Sequence, residues 1–110
     1  MNGKDVDFKD LGNLTTERAR TGDAYLEFLR VASMSAGIYV LAAGSVDAQT
    51  PHRQDELYFV VRGKARMRAG AEDRSLTAGA VVFVAAHVEH RFYDIDEELT
   101  LLVFFAPAEA

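Results

Sequence analysis

From residue 24 onward, short apolar segments alternate with turn-forming residues along the chain. Residues 36–42 are rich in β-branched and aromatic side chains and are bounded by glycines, which favours a strand. Beyond residue 55 we predict strands at 56–62, 65–69, 81–85, 89–93 and 99–105, and a short strand that includes Ser75 and Leu76. Short strands with turn signals roughly every 8–12 residues are typical of a β-sandwich or barrel. The pattern therefore predicts an all-β fold, without a long helix after residue 35.

Several places along this β-rich region are interpreted as turns, among them Gly70 and the segment at His87. Gly63-Lys64 and Ala78-Gly79 each follow a strand, and glycine supplies the positive φ that a hairpin turn needs. The acidic segment 94–98 separates the strands 89–93 and 99–105. We therefore expect the chain to turn at each of these places.

The N-terminal part of the chain has a different character. Residues 1–22 are polar and do not alternate, and we interpret them as an N-terminal arm with a short helical turn from Thr15 or Thr16, capped by that hydroxyl. Residues 24–31 fit both a helical stripe and a strand with apolar side chains on both faces. We favour the strand because the next segment is β-rich. The predicted organisation is an arm at 1–22 and one β-domain at 23–110.

Two of the predicted segments, Val81–Val84 and Leu101–Phe105, are apolar on both faces. In an antiparallel sandwich only one face of each sheet meets the core, so the other face needs a cover. A second copy of the chain is the simplest cover, and we expect a homodimer. The alternative is that the N-terminal arm folds back over the same face.

Composition narrows the set of partners. Twelve basic and seventeen acidic side chains give a net charge of −5, which argues against a nucleic-acid partner. Because the chain has no cysteine, disulfides and cysteine-ligated metals are ruled out. The first residues lack the apolar stretch of a signal peptide, and the longest apolar run, Ala80–Ala86, is too short to cross a bilayer. We expect a cytoplasmic protein without a membrane partner.

Three histidines are the first candidates for chemistry: His52, His87 and His90. On an extended chain, residues two and four apart point to the same face, so Thr50, His52, Gln54 and Glu56 are expected to project together. A neighbouring strand that carries His90 would complete a set of two imidazoles and one carboxylate. Such a set suits a divalent metal ion with open coordination positions, non-haem iron included. A hydrogen-bonded polar cluster without metal is the alternative, and His87 is expected at an exposed turn.

Two spaced motifs connect these residues to a known family. The first consists of Gly44, Thr50-Pro51-His52, Glu56 and Gly63, and the second of Gly79, Ala85-Ala86-His87, His90 and Asp94. Five residues separate the leading glycine from the triplet in both motifs. These spacings resemble the two motifs of the cupin superfamily, and the resemblance covers about residues 36–106. It implies a single jelly-roll β-barrel of the small microbial type.

The resemblance also implies which residues would bind metal. The family's four ligands are two histidines and the glutamate of the first motif and the histidine of the second. Three of these ligands are present as His52, Glu56 and His90, whereas Thr50 stands in place of the first histidine. A threonine hydroxyl is a poor ligand for a divalent ion. We therefore expect a three-ligand site in which Thr50→His tightens metal binding, unless Gln54 already fills the fourth position.

Function is less determined than fold, because one fold supports many activities. The first hypothesis is a small oxygenase or isomerase, in which iron, zinc, manganese or nickel on the three ligands binds a small oxygenated substrate. Tyr58 or Gln54 would then contact the ligands and orient them without binding the metal. Gln49 is a nearby carbonyl donor that the family motif does not include. The second hypothesis is a module that binds a small molecule without turnover, with or without metal. The sequence does not indicate the substrate.

Overall fold

The computed structural model describes residues 5–110, and in that range it contains one helix and six strands. The helix α1 spans Leu11–Thr21, and the strands are β1 (Tyr25–Val31), β2 (Met34–Leu41), β3 (Asp55–Ala69), β4 (Glu72–Thr77), β5 (Val81–Val84) and β6 (His90–Ala106). The strands form one antiparallel sheet in the order β1-β2-β6-β3-β4, and β5 also pairs with β3. The all-β prediction is confirmed, and residues 25–31 are a strand.

The long strands β3 and β6 organise this sheet. They have 15 and 17 residues and pair from Asp55–Ala106 to Ala69–His90. Toward one end of the pair, β2 lies beside β6 and β5 lies beside β3. Toward the other end, β4 lies beside β3. A bend between the two ends divides the sheet into two halves, and a single cluster of buried side chains from both halves forms the core.

The bend lies where the sequence predicts two turns. The chain does not turn back at Gly63-Lys64 or at 94–98, because both segments are internal to continuous strands. Instead, the pairing register shifts three times between Val60 and Arg66 of β3. An extra residue bends a strand and strengthens its twist without ending its pairing. The two predicted turns are therefore wrong, and β-bulges take their place. The predicted turn at Ala78-Gly79 does connect two strands, β4 and β5.

The bulges also change which residues face the core. On β3, Glu56, Tyr58 and Val60 are buried before the bend, and Ala65 and Met67 are buried after it. Because side chains alternate along a strand, the change from even to odd numbers marks an inserted residue. A similar change occurs on β6, whose buried apolar and histidine side chains are His90 and Phe92, then Ile95, Leu99, Leu101, Val103 and Phe105.

The predicted N-terminal arm contains a longer helix than expected. The helix begins after Asp10, whose side chain accepts a hydrogen bond from Asn13 N at 3.1 Å, and Gly22, with φ 78°, caps its C-terminus. The predicted start at Thr15 or Thr16 is therefore wrong, because both hydroxyls donate to carbonyls one turn back inside the helix. No helix within residues 5–110 is long and apolar enough to cross a membrane.

The outer face of the β3–β5 pair carries four exposed apolar side chains, which we term the outer patch. In this patch Leu57 pairs with Phe83, and Phe59 pairs with Val81. The exposed fraction is 63% for Phe83 and Val81 and below 40% for the other two. Phe8 of the arm is itself 91% exposed. Because the four side chains remain exposed and α1 packs against β1 and β2, the described part of the arm, from residue 5, does not cover the patch.

Gly63→Ala is expected to destabilise the protein strongly. A Cβ at position 63 would lie 2.3 Å from the Glu98 carbonyl oxygen and 2.7 Å from Leu99 Cα, with φ at 107°. The backbone of β6 would have to move, in addition to the strain of about 1–3 kcal/mol that an unfavourable φ imposes. The free energy of unfolding in urea measures the loss. Gly79→Ala is the matched control, because it has φ 94° and no atom within 4 Å of the added Cβ. Equal losses in the two variants would contradict the close approach of β3 and β6.

Candidate metal centre

Three side chains from different parts of the chain lie close together on the buried face of the sheet. His52 lies in the loop before β3, Glu56 lies near the start of β3, and His90 is the first residue of β6. One potential ligand atom from each of the three lies within 4.8 Å of the others. Glu56 Oε1 is 3.1 Å from His90 Nε2 and 4.0 Å from His52 Nε2. The residues identified from the sequence are thus brought together with their ligand atoms facing one another.

The carboxylate of Glu56 is the most deeply buried charge of this group. Its side chain is 1% exposed, as is that of His90. Neither oxygen of Glu56 accepts a well-aligned hydrogen bond within the described chain, although His90 Nε2 is close to Oε1. A buried carboxylate in this condition is costly, because it has lost its water and gained too few donors. The donor set of two imidazole nitrogens and one carboxylate oxygen fits a divalent metal ion.

His90 is oriented by contacts on both ring nitrogens. Its Nδ1 lies 2.9 Å from the Val88 carbonyl oxygen, so an Nδ1–H donates there and Nε2 faces Glu56. Burial lowers the pKa of His90, but the Glu56 carboxylate and the Val88 carbonyl together raise it by more, and the net direction is upward. Tyr58 Oη lies 3.1 Å from His90 Nε2. Burial, followed by the charge of Glu56, raises the pKa of Tyr58, so this hydroxyl keeps its proton.

The loop that carries His52 is tied down at several points. Asp47 is 4% exposed and accepts hydrogen bonds from Phe92 N at 2.9 Å and from Tyr39 Oη at 3.0 Å. The His52 carbonyl accepts a hydrogen bond of 2.7 Å from His87 N. His87 itself is exposed, with φ 69°, and it is not a member of the ligand group. Asp47 was not identified from the sequence, because its role depends on strands far away along the chain.

Gln49 takes the place that the sequence assigned to Thr50. Gln49 Oε1 lies 3.2 Å from His52 Nε2 and accepts a hydrogen bond from Tyr58 Oη at 3.2 Å. Thr50 is exposed and does not line the cavity beside the ligand group. Gln54 is buried, but it does not line that cavity either. The expectation that Thr50 projects inward is wrong, because residues 42–54 form an irregular loop and strand alternation does not apply there.

A cavity of about 210 Å³ opens beside the ligand group. Its lining consists of Tyr25, Tyr39, Gln49, His52, Glu56, Tyr58, Val103, Phe105 and Glu109. Tyr25 Oη is buried and has no hydrogen-bond partner in the described chain. Its ring occupies the space above Gly37, where a Cβ would lie 2.2 Å from Tyr25 Cζ. A larger hollow of about 600 Å³ between β4 and β5 contains none of the candidate ligands.

Comparisons with known proteins bear on the family. A family model described as "Cupin domain" matches residues 37–105. An uncharacterised protein of Streptomyces coelicolor is 49% identical over 100 residues, which make up 91% of this chain and 95% of that protein. The crystal structure of TT1209 from Thermus thermophilus is 22% identical, with a TM-score of 0.73 over 94% of this chain and 99% of that chain. The Fe(II) form of HppE is 22% identical, with a TM-score of 0.64 over 74% of this chain and 48% of that chain.

The family match begins in β2 and ends in β6, so it includes all three candidate ligands. The similarity to TT1209 and to HppE concerns the fold alone. That fold is the antiparallel β-architecture that the two spaced motifs predict. The chain belongs to the cupin family and has its jelly-roll β-fold.

Proposed function

We propose that this cupin holds a divalent metal ion on His52, Glu56 and His90 and binds a small oxygenated molecule there, as an oxygenase or isomerase does. The observation that carries the proposal is the buried, poorly satisfied carboxylate of Glu56 beside two imidazole nitrogens. A cation at this point supplies the charge and the bonds that the carboxylate lacks. Iron, zinc, manganese and nickel all accept such a mixed nitrogen and oxygen set.

When bound, a metal ion of this kind polarises an oxygen of its ligand and orients it for reaction. The residues of the chain fix the surroundings. Tyr58 stays protonated and donates to Gln49, which keeps the amide of Gln49 beside His52. Phe105 packs its ring edge against His52, with 5.0 Å between ring centroids. Side chains that are held in this way reduce the reorganisation that a reaction requires.

The size and charge of the cavity restrict the ligand. A volume of about 210 Å³ is smaller than the 300–1,000 Å³ that is usual for drug-sized ligands. The described lining has two carboxylates and three tyrosines but no lysine or arginine. The two carboxylates would therefore repel an anionic group, and no lysine or arginine of the described lining would offset that repulsion. We propose a small, neutral or weakly charged ligand, rich in oxygen, that binds the metal and contacts the free hydroxyl of Tyr25.

The Fe(II) protein HppE, which was crystallised with an alternative substrate, gives a precedent for substrate binding by an iron protein of similar fold. Elemental analysis of the purified protein, followed by oxygen uptake with diols, thiols and phenols, tests the enzymatic part of the proposal. Iron together with substrate-dependent uptake supports an oxygenase. Zinc without turnover favours the module that only binds a small molecule. A cytoplasmic location without nucleic-acid or membrane partners stays a prediction from composition.

We also propose that a second copy of the chain covers the outer patch. The four exposed side chains are neighbours through the β3–β5 pairing, and the half-buried Leu102 and Phe104 of β6 extend them across the sheet. Apolar areas that continue over three strands mark contact surfaces more often than scattered residues do. When each chain carries one such patch, the patches of two chains can bury each other. This arrangement gives a dimer with twofold symmetry.

The metal ligands act as a unit in this proposal. His52→Ala, Glu56→Ala and His90→Ala should each lower the metal content sharply, because each removes one of three protein ligands. His87→Ala is the matched control, since His87 is exposed and outside the ligand group. Metal per protein chain after dialysis, measured by mass spectrometry of the elements, gives the answer. Loss of metal from His87→Ala to the same extent as from His90→Ala would contradict the site.

Gln49→His is expected to tighten metal binding. The side chain at position 49 lines the cavity and reaches the nitrogen of His52 that faces Glu56, so an imidazole there adds a fourth ligand. A tenfold gain in affinity requires only about 1.4 kcal/mol. Chelator competition at one pH measures it. Thr50→His is the control, because position 50 is exposed, and it should leave the affinity unchanged. A gain in Thr50→His alone would reverse the assignment of the two positions.

Phe83→Lys should convert the dimer into a folded monomer, because it places a charge at one of the two most exposed positions of the outer patch. Light scattering gives the mass, and circular dichroism confirms the fold. Val46→Lys is the control, since Val46 is 82% exposed but lies in the loop between β2 and β3. The dimer proposal fails if the unmodified protein is a monomer at high micromolar concentration.

A further inference from the structure

The segment that follows β6 returns to the candidate metal centre. It is held by the hairpin of β1 and β2: Ala108 N donates to the Ala32 carbonyl at 3.4 Å, and Glu109 N donates to Ser35 Oγ at 2.9 Å. Arg30 donates to the Glu109 carbonyl at 2.7 Å. These contacts fix the backbone of Glu109 before and after its Cα, and they aim its side chain into the cavity.

The Glu109 carboxylate contacts His52 on the side of the ring away from the other candidate ligand atoms. Its Oε2 lies 3.2 Å from His52 Nδ1, whereas His52 Nε2 faces Glu56 Oε1 and Gln49 Oε1. Because Nδ1 and Nε2 lie on different edges of the imidazole, Glu109 reaches the ring without occupying the place between the ligand atoms. In this geometry Glu109 can orient the metal ligand His52, but it does not itself lie where the ion would bind.

His52 is the candidate ligand that most needs such support. It lies in an irregular loop and its side chain is 20% exposed, whereas Glu56 and His90 lie on strands and are 1% exposed. His90 already has an acceptor for its Nδ1–H in the Val88 carbonyl. In both imidazoles an oxygen lies near Nδ1 and Nε2 is directed toward Glu56, although only the contact of His90 is a well-aligned hydrogen bond, and the His52–Glu109 pair is an ion-pair contact at 3.2 Å.

We propose that Glu109 is a positioning residue for this metal site: its carboxylate accepts the Nδ1 proton of His52 and thereby presents Nε2 to the ion. The inference rests on the metal-binding function proposed above. A carboxylate behind a ligating histidine fixes the tautomer and the ring orientation and makes the nitrogen a better ligand. Glu109 lies outside residues 37–105, the region that the family model matches, so the support comes from a part of the chain beyond the shared domain.

Zinc affinity by chelator competition is the first test, on the full chain. Glu109→Ala should bind zinc about tenfold more weakly or worse, which is the usual effect of losing such a partner. Glu109→Gln should recover most of the affinity, because the amide oxygen still accepts the Nδ1 proton. Glu17→Ala removes the same side chain from an exposed position on α1 and should bind zinc like the wild type.

Long-range ¹H–¹⁵N NMR of the metal-free proteins at pH 8 is the second test. Wild type and Glu109→Gln should hold more of the His52 proton on Nδ1 than Glu109→Ala, in which Gln49 Oε1 beside Nε2 is the remaining acceptor. A role of Glu109 in stability alone would leave the tautomer unchanged.

Three outcomes overturn the inference. In the first, Glu109→Ala binds zinc as tightly as the wild type. In the second, Glu109→Gln loses as much affinity as Glu109→Ala, which would mean that only the charge matters or that Glu109 binds the ion directly. In the third, the tautomer of His52 does not change in Glu109→Ala. In these three cases the wild-type protein still binds metal, so the proposed function stands. A wild-type protein that takes up no zinc, iron, manganese or nickel overturns the proposed function and this inference together, which distinguishes the two failures.

Discussion

Gly63 passes so close to the backbone of β6 that no side chain fits between the two strands. This contact lets β3 and β6 bend together while they remain paired. In the sheet register His90 lies opposite Ala69, thirteen positions along β3 from Glu56. On a straight strand that separation would be roughly 40 Å, at about 3.3 Å per residue. The observed distance between His90 Nε2 and Glu56 Oε1 is 3.1 Å, so the bend is what creates the candidate site.

Negative charge dominates the surroundings of that site. Glu56 is at its centre, Asp47 anchors the loop that carries His52, and Glu109 contacts His52 from the other side. Asp47 is satisfied by three hydrogen bonds, from Phe92 N, Tyr39 Oη and Gln49 Nε2. Glu56 has no comparable set of donors. Asp47 therefore stabilises the structure, whereas the Glu56 carboxylate can still bind a cation. This difference between two buried carboxylates is expected of a binding site.

Two signals in the sequence identified His52, Glu56 and His90: strand alternation placed His52 and Glu56 on one face, and the spacing of a family pattern supported all three as ligands. Periodicity failed at Thr50, since the loop before β3 is irregular and the side chain that reaches His52 is that of Gln49. The turn signal failed at 94–98, where a mostly acidic segment indicates a turn but β6 continues to pair with β3 through it. Glu109 gave no local signal, because its contacts are with Arg30, Ser35 and His52, all far away along the chain.

The sequence by itself determined the β-class and the three candidate ligands, and it favoured a strand over a helix for residues 24–31. Each of these properties follows from a local signal: alternation of apolar residues, the preferences of residue types, or the spacing of a family motif. Such signals involve residues that are close together in the sequence. Only the tertiary structure decided that β3 and β6 each continue through a bulge, that Gln49 and not Thr50 faces the cavity, and that the Glu109 carboxylate lies against His52. Each of these depends on which distant backbone lies alongside, as when Glu98 leaves no room for a side chain at position 63. A contact between residues remote in sequence leaves no periodic trace in either of them.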